Sequence, residues 1–200
     1  MSTRFAALAA GIALAVLAST AAYAQDAGTT QGGTSSATNV DQNFVTAAVR
    51  ANDEEVDQAQ AQLNVNGSSA VRMYAQRIID DHTTANSQLA AIAKSLNLTF
   101  PQSHIAQSSL NGDATPPPAA TRPNPMTPLT PQAYMAQQVQ AHQTAIALYE
   151  GEVKNGGSEQ LRTYAAQTLP ALKAHLTMAQ QYVSSGTISP VATPTPAGQR

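Results

Sequence analysis

Three of the chain's 4 histidines, together with one glutamate, stand where amphipathic helices would place core residues. His82, His142 and His175 each fall among apolar residues at the helical period, and Glu55 falls among alanines in the same way. Imidazole nitrogens and carboxylate oxygens that gather in a protein interior are typical ligands of Fe, Mn, Zn or Cu. The pattern therefore indicates either a site for one transition-metal ion or a buried polar network without metal.

The distances of these residues from the interhelix turns place them near the same height in a helical bundle. At about 1.5 Å per residue, His82 and His142 are nearly level, while Glu55 and His175 lie one turn to either side, a spread of roughly 11 Å along the axis. Asp81, next to His82, is expected to act as a ligand or as an acceptor for an imidazole N–H. No residue is assigned a catalytic role.

Composition excludes several other kinds of site. The 200-residue chain has no cysteine, which excludes disulfide frameworks, thiolate-ligated zinc, iron–sulfur clusters and thiol nucleophiles. Its 10 Lys+Arg against 12 Asp+Glu give a formal net charge of −2. Because no basic excess exists to neutralise phosphates, we expect no nucleic-acid partner.

Helix signals predict four helices, which are expected at residues 41–64, 69–97, 131–154 and 158–184. Short turns join the first helix to the second and the third to the fourth, giving two hairpins. The connection between the hairpins, residues 98–130, is rich in proline and long enough to run the length of a bundle. Residues 41–184 are therefore expected to form an all-α four-helix bundle with one crossover, the pattern of ferritin-like bundles.

The two ends of the chain are expected to lie outside this bundle. Residues 1–24 have the parts of a secretory signal: Arg4, an apolar run over 5–17 and the cleavage site Ala22-Tyr23-Ala24. The run is shorter than the ~20 residues that a membrane span needs. Residues 25–40 are interpreted as a flexible leader and 185–200 as a disordered tail. We expect a periplasmic or secreted bacterial protein without a transmembrane segment in its mature chain.

Part of the second predicted helix resembles the central motif of an exported bacterial family, domain of unknown function 4142 of the ferritin-like superfamily. The matching residues are Val71-Arg72, Tyr74-Ala75, Ile79-Asp80-Asp81-His82-Thr83 and Asn86, with Ala51, Glu55-Val56, Leu169-Pro170, Leu172 and His175 elsewhere. The resemblance covers about residues 42–183 and is interrupted by the proline-rich crossover. It implies a ferritin-like bundle, a periplasmic or outer-membrane-associated location and no established activity. As site residues it implies Glu55, Asp81, His82, His142 and His175.

The residues around the histidines argue against a ferritin-type dinuclear centre. Such a centre needs Glu-x-x-His on two helices, whereas Ile79 and Leu172 stand three residues before His82 and His175. We therefore expect an exported, non-enzymatic envelope protein whose His/Glu cluster binds one metal ion or forms a polar network. The alternative function is a metal-dependent oxidase or oxidoreductase of the ferritin-like type.

Export predicts a specific new N-terminus. Protein recovered from the periplasm of an expressing bacterium should begin at Gln25 by intact-mass measurement, because Ala22 and Ala24 are the small residues that the signal peptidase requires. The Ala24→Tyr variant should keep its full precursor mass, and a wild-type mature chain that still begins at Met1 would contradict the prediction.

Overall fold

Four long helices make up most of the described part of this protein, whose structure is a computed structural model. It describes residues 32–64, 68–103 and 127–188, with only the backbone for residues 32–37. The helices are α1 Gly32–Leu63, α2 Ser69–Ser95, α3 Pro131–Asn155 and α4 Glu159–Ser185. No strand occurs within these ranges, and the predicted all-α four-helix bundle is confirmed. The predicted signal peptide, most of the crossover and most of the tail lie outside the described residues.

Local side-chain chemistry explains where the helices begin and end. Thr130 accepts a hydrogen bond from the backbone of Ala133, and Ser158 accepts one from Leu161, so both cap the helices that follow them. Pro131 occupies the first turn of α3, where its missing N–H costs no helical hydrogen bond. Ser68 occupies the cap position of α2 without such a side-chain bond. Pro170 lies inside α4, which continues through it.

The first helix begins nine residues earlier than its apolar pattern indicates, at Gly32 rather than at residue 41. Residues 38–40 are exposed, and Asp41 is the first buried residue among the side chains of α1 that the structure describes, which begin at residue 38. The apolar period therefore marks where α1 begins to pack against its neighbours, while the helical backbone continues outward from there.

Contacts between residues near the helix ends establish the direction of each helix. Phe44, near the start of α1, packs edge-on against Tyr149 near the end of α3, with ring centroids 5.0 Å apart. Ser95, at the end of α2, donates a hydrogen bond to Gln160 at the start of α4 over 3.0 Å. Each helix packs against two neighbours, α1 on α2 and α3, and α4 on α2 and α3. All of these neighbouring pairs are antiparallel.

The connection between α2 and α3 therefore joins opposite ends of the bundle. Gln132, in the first turn of α3, donates to the carbonyl of Val183 near the end of α4, far from the end of α2. The connection must span helices of 25 to 32 residues, about 40 Å. This arrangement agrees with the single long crossover that the length of the connection predicts.

Two apolar clusters fill the core, and a polar layer separates them. The cluster at one end combines Phe44, Leu89 and Leu161 with further residues, and the cluster at the other end is built around Val56, Ile78 and Met135. Along every helix the predicted site residues fall between the two clusters. The polar layer therefore lies near mid-height, where it is shielded from water on both sides.

The burial of individual residues departs from the predicted stripes in a few places. The helical period of the apolar residues predicts that Val153 and Val183 lie inside and that Val45 and Val56 lie at the edge of their stripe. In the structure, Val153 and Val183 are exposed at 36% and 39%, whereas Val45 and Val56 are fully buried. The single-helix pattern locates the centre of a stripe less well near helix ends, where fewer neighbours cover the surface. None of the described helices combines the length and the apolarity that a membrane span requires.

Leu89 provides a test of the packing. Its side chain is completely buried, so Leu89→Ala should lower the free energy of unfolding by about 2–5 kcal/mol through lost burial and a residual cavity. Met73 is 65% exposed on the same helix, and Met73→Ala should change the free energy by less than about 0.5 kcal/mol. Equal losses in urea unfolding would contradict this placement of the two side chains.

Candidate metal centre

Four ionisable side chains, one from each helix, meet in the polar layer. Glu55, His82, His142 and His175 are 4%, 3%, 0% and 1% exposed. One ring nitrogen from each histidine lies within 4.8 Å of the others, a tighter group than the axial spread expected from the sequence. The ring nitrogens lie closer together than the heights of their residues on the helices suggest, because these side chains extend several ångströms from their helices and can lean along the bundle axis.

The ring nitrogen of His82 that faces away from the group takes part in a directional relay of hydrogen bonds. Asn86 Nδ2 donates to the Asp53 carboxylate over 2.9 Å, which turns the amide oxygen of Asn86 toward Asn52. Asn52 Nδ2 donates to that oxygen over 2.7 Å, so Asn52 Oδ1 is the atom that faces His82 Nδ1 at 2.8 Å. Because a carboxylate only accepts, the relay requires the proton of His82 to be on Nδ1.

The same relay reaches the first residues of the crossover. Ser103 is 1% exposed, and its hydroxyl donates to Asp53 over 2.7 Å. The start of the crossover is thereby attached to the group that orients His82, which gives it a defined position against α1 and α2.

The outward nitrogens of the other two histidines also face acceptors. His142 Nδ1 lies 3.0 Å from the backbone carbonyl of Gln138, which can only accept. His175 Nε2 lies 2.8 Å from Asp81 Oδ2, which also contacts Arg77 Nε at 3.3 Å. Of the two roles expected for Asp81, the geometry favours the acceptor. Partial burial alone would raise the pKa of Asp81, but the hydrogen bond and charge of His175, together with Arg77, outweigh it and lower that pKa.

When each imidazole carries only its outward proton, the three rings direct their remaining lone pairs at one another and at Glu55. Glu55 Oε2 lies 3.3 Å from His82 Nε2 and 3.5 Å from His142 Nε2, and His142 Nε2 lies 3.2 Å from His175 Nδ1. Glu55 Oε2 and His82 Nε2 have no hydrogen-bond partner among the described residues. Four acceptors that converge in this way require positive charge between them, supplied by two protons or by one divalent cation.

Burial makes an ion pair inside this group unfavourable at neutral pH. Burial, with a contribution from the charge of Glu54, raises the pKa of Glu55 to about 8. Burial lowers the pKa of His82 well below its ordinary value, and burial together with the nearby His175 lowers the pKa of His142 to about 3. Without metal, the expected state of Glu55 and these two histidines at neutral pH is uncharged.

Several residues of the site are not identified by the sequence reasoning. Asn52, Asn86 and Gln138 stand three or four residues from Glu55, His82 and His142, so each shares the inward face of a site residue. A polar residue one turn from a buried histidine is the signal that could have found them. Tyr74 donates to Gln138 Oε1, and Tyr164 lies 3.1 Å from the carbonyl of Ala85. His104 lies outside the described residues.

The raised pKa of Glu55 predicts how stability depends on pH in metal-free protein. The folded state retains a proton that the unfolded chain releases between the ordinary glutamate pKa of 4.5 and about 8, so wild-type stability falls as pH rises through this range. Glu55→Gln cannot ionise and should exceed the wild type by on the order of 3 kcal/mol above about pH 8.5. The two proteins should converge at acidic pH. Parallel profiles in urea unfolding with a chelator present would contradict the burial of this carboxylate.

Comparison with known proteins assigns the chain to a family. No curated protein and no solved structure matches it. The profile of a family described as Domain of unknown function (DUF4142) matches residues 26–115 and 131–182. These ranges include all four helices' site residues and leave out the last part of the crossover. With more than half of its length matched, in agreement with the resemblance of its Asp-Asp-His motif, the chain belongs to the DUF4142 family.

Proposed function

We propose that this protein binds one divalent transition-metal ion in the centre of its bundle. The ligands are Glu55 Oε2, His82 Nε2, His142 Nε2 and His175 Nδ1, one from each helix. The observation that carries the proposal is the orientation of the imidazoles: each outward nitrogen donates to an acceptor, so all three inward lone pairs converge with the carboxylate. In known metal sites, the histidine nitrogen that does not bind the metal commonly donates a hydrogen bond to an acceptor, and this bond orients the ligand.

The separations of the donor atoms suit a tetrahedral ion. Bonds of about 2.0–2.1 Å from a tetrahedral Zn²⁺ to nitrogen or oxygen place neighbouring donors about 3.3–3.4 Å apart. Three of the six separations, at 3.2, 3.3 and 3.5 Å, lie close to this edge length, and the ligand nitrogens of the three histidines all lie within 4.8 Å of one another. Imidazole suits Zn, Cu and Fe, and a carboxylate also suits Mn. Because Zn²⁺ is the ion of these four that most commonly takes four protein ligands in a tetrahedron, we expect Zn²⁺ to fit best.

Charge supports a cation over a pair of protons. A divalent ion supplies in one position the positive charge that the four acceptors need, and the carboxylate offsets half of it. In a core shielded by apolar clusters on both sides, this attraction is much stronger than it would be in water. The ion would also link all four helices, since each contributes one ligand.

The completeness of the ligand set favours a non-enzymatic role. Structural zinc sites have four protein ligands, whereas catalytic sites keep a position open for water or substrate. Here four protein donors would complete the tetrahedron, and none of the four residues is more than 4% exposed. The alternative, a ferritin-type oxidase, would need carboxylates where Ile79 and Leu172 stand. The protein we propose is an exported envelope protein stabilised by its metal ion.

Metal reconstitution tests the proposal. Chelator-treated full-length protein, titrated separately with Zn²⁺ and with Co²⁺ as a spectroscopic probe, should bind one ion per chain. Co²⁺ should give the intense visible absorption of a tetrahedral site. Stability should rise with metal concentration, by about 4 kcal/mol when free metal reaches about 1,000 times its dissociation constant.

Ligand variants with a matched control identify the site. His142→Gln and Glu55→Gln should each weaken Zn²⁺ binding by more than about 100-fold. Loss of a residue that only orients a ligand typically costs about 10- to 100-fold, and these variants remove a ligand itself. Tyr164→Phe removes a buried polar atom from the apolar cluster around Phe44, and it should leave metal binding unchanged. Less than a tenth of an ion per chain with any of Zn²⁺, Cu²⁺, Fe²⁺ or Mn²⁺, or equal affinities in all variants, would refute the proposal.

A further inference from the structure

A second buried carboxylate lies near one end of the bundle, away from the proposed metal site. Glu152, in the last turn of α3, is 2% exposed, and neither of its carboxylate oxygens has a hydrogen-bond partner among the described residues. It follows His142 by ten residues on the same helix, a rise of about 15 Å. An unpartnered carboxylate in such a place is costly unless it binds something or stays protonated.

Asp41 of α1 faces Glu152. Asp41 is 6% exposed, and its Oδ1 accepts a hydrogen bond from the backbone N–H of Gly157 over 2.7 Å. Its carboxyl lies within hydrogen-bond reach of Glu152 and interacts with it electrostatically. Gly156 makes room for this approach, since a side-chain carbon there would overlap Glu152 Oε1. Two acidic side chains from α1 and α3 are thus held together at the α3–α4 turn.

The surroundings of the pair carry too little positive charge for two carboxylates. Among the described residues, the charged groups that act on Glu152 are Asp41 of α1 and Arg162 of α4. Arg162 Nη1 is engaged by the carbonyls of Gly156 and Gly157 at 2.8 and 3.0 Å. The C-terminal end of α3 adds negative dipole character at this point. One guanidinium therefore faces two acids and a helix C-terminus.

We infer that Asp41 and Glu152 share one proton, and that this shared proton fastens the first packed turn of α1 to the α3–α4 turn. One proton neutralises the excess charge, since an acid and a carboxylate beside one guanidinium sum to zero. It also supplies the donor that two facing acceptors lack. Without the proton, the carboxylates repel each other at the point where α1 joins the bundle.

A metal cation fits this place less well than a proton. Ca²⁺ takes about 6–8 oxygen ligands, and Mg²⁺ needs a near-octahedral shell, whereas the pair offers two carboxylates next to a guanidinium. Proton exchange has a route, because a groove of about 490 Å³ between α1 and α3 is lined partly by Asn43, Glu152 and Asn155. The inference is independent of the proposed metal ion in the core.

The shared proton makes the stability of the protein sensitive to pH. Burial, followed by the charge and hydrogen bonding of Asp41, raises the pKa of Glu152 from 4.5 to about 7, against the opposing effect of Arg162. The folded state therefore retains a proton through this range that the unfolded chain has lost, and stability falls as pH rises from about 4.5 to about 7.

Urea unfolding of the full-length protein in the presence of chelator tests the inference. Glu152→Gln keeps a donor for Asp41 and cannot ionise, so its folding equilibrium constant should exceed that of the wild type by about tenfold or more at pH 8.5. The two constants should agree within about twofold near pH 4. The ionisable groups of the core are the same in both proteins and lie about 15 Å or more along the bundle from Glu152, so their effects cancel in the comparison.

Control variants make the outcome specific. Glu150 is an exposed neighbour that pairs with Lys173 at 2.9 Å, and Glu150→Gln should follow the wild-type profile at every pH. Asp41→Asn removes the facing charge but leaves Glu152 buried and ionisable, so it should lessen the pH dependence without abolishing it. A constant ratio of wild type to Glu152→Gln across the pH range would overturn the inference. It would also fail if millimolar Ca²⁺ or Mg²⁺ restored wild-type stability at pH 8.5, since the pair would then hold a cation.

A direct titration keeps the inference testable if a variant does not fold. In ¹³C NMR of the folded, metal-free wild type, the carboxyl resonance of Glu152 should titrate near neutral pH, well above the exposed glutamates. The Glu152 resonance is identified by its selective loss from the spectrum of Glu152→Gln. If that variant is unfolded, the resonance is assigned by correlation with the backbone of the wild type. Titration of Glu152 at the ordinary value of a glutamate would overturn the inference.

Discussion

Lone pairs that face one another in a low-dielectric interior are unfavourable unless positive charge lies between them, and this constraint governs the centre of the bundle. His82, His142 and His175 each use one nitrogen to donate outward, to an amide, a backbone carbonyl and a carboxylate. Those three hydrogen bonds leave the inward nitrogens as acceptors, next to the carboxylate of Glu55. Positive charge must balance these acceptors, and the divalent cation that we propose would supply it in one position.

The architecture supports this layer in several ways. Apolar clusters above and below keep water away from it, which strengthens every electrostatic interaction inside. Each of the four helices contributes one ionisable residue, so sliding any helix by a turn would leave a buried polar group unpaired. The relay from Asp53 through Asn86 and Asn52 extends this requirement to α1, α2 and, through Ser103, the start of the crossover. A network of this kind specifies helix register as well as ligand orientation.

Glu55 and Glu152 show how the surroundings of a carboxyl direct its chemistry. Burial raises the pKa of both. Glu55 faces imidazole nitrogens, which together with its carboxylate form the metal site that we propose. Glu152 faces Asp41 and lies near Arg162, where one additional positive charge balances the group and a proton is sufficient. The two groups lie at different heights in the bundle, because Glu152 follows His142 by ten residues on α3.

Local chemistry was enough to predict the four helices and the inward position of Glu55 and three histidines, because the helical period depends on residues close together in the chain. It also indicated the family, through the motif around His82. The donor distances, the choice of ring nitrogen, the acceptor role of Asp81 and the pairing of Asp41 with Glu152 came only from the folded structure. These features depend on how far each helix rotates and slides against its neighbours, which is settled by packing between residues distant in sequence. Packing also explains why Val153 and Val183, apolar and in phase, lie at the surface.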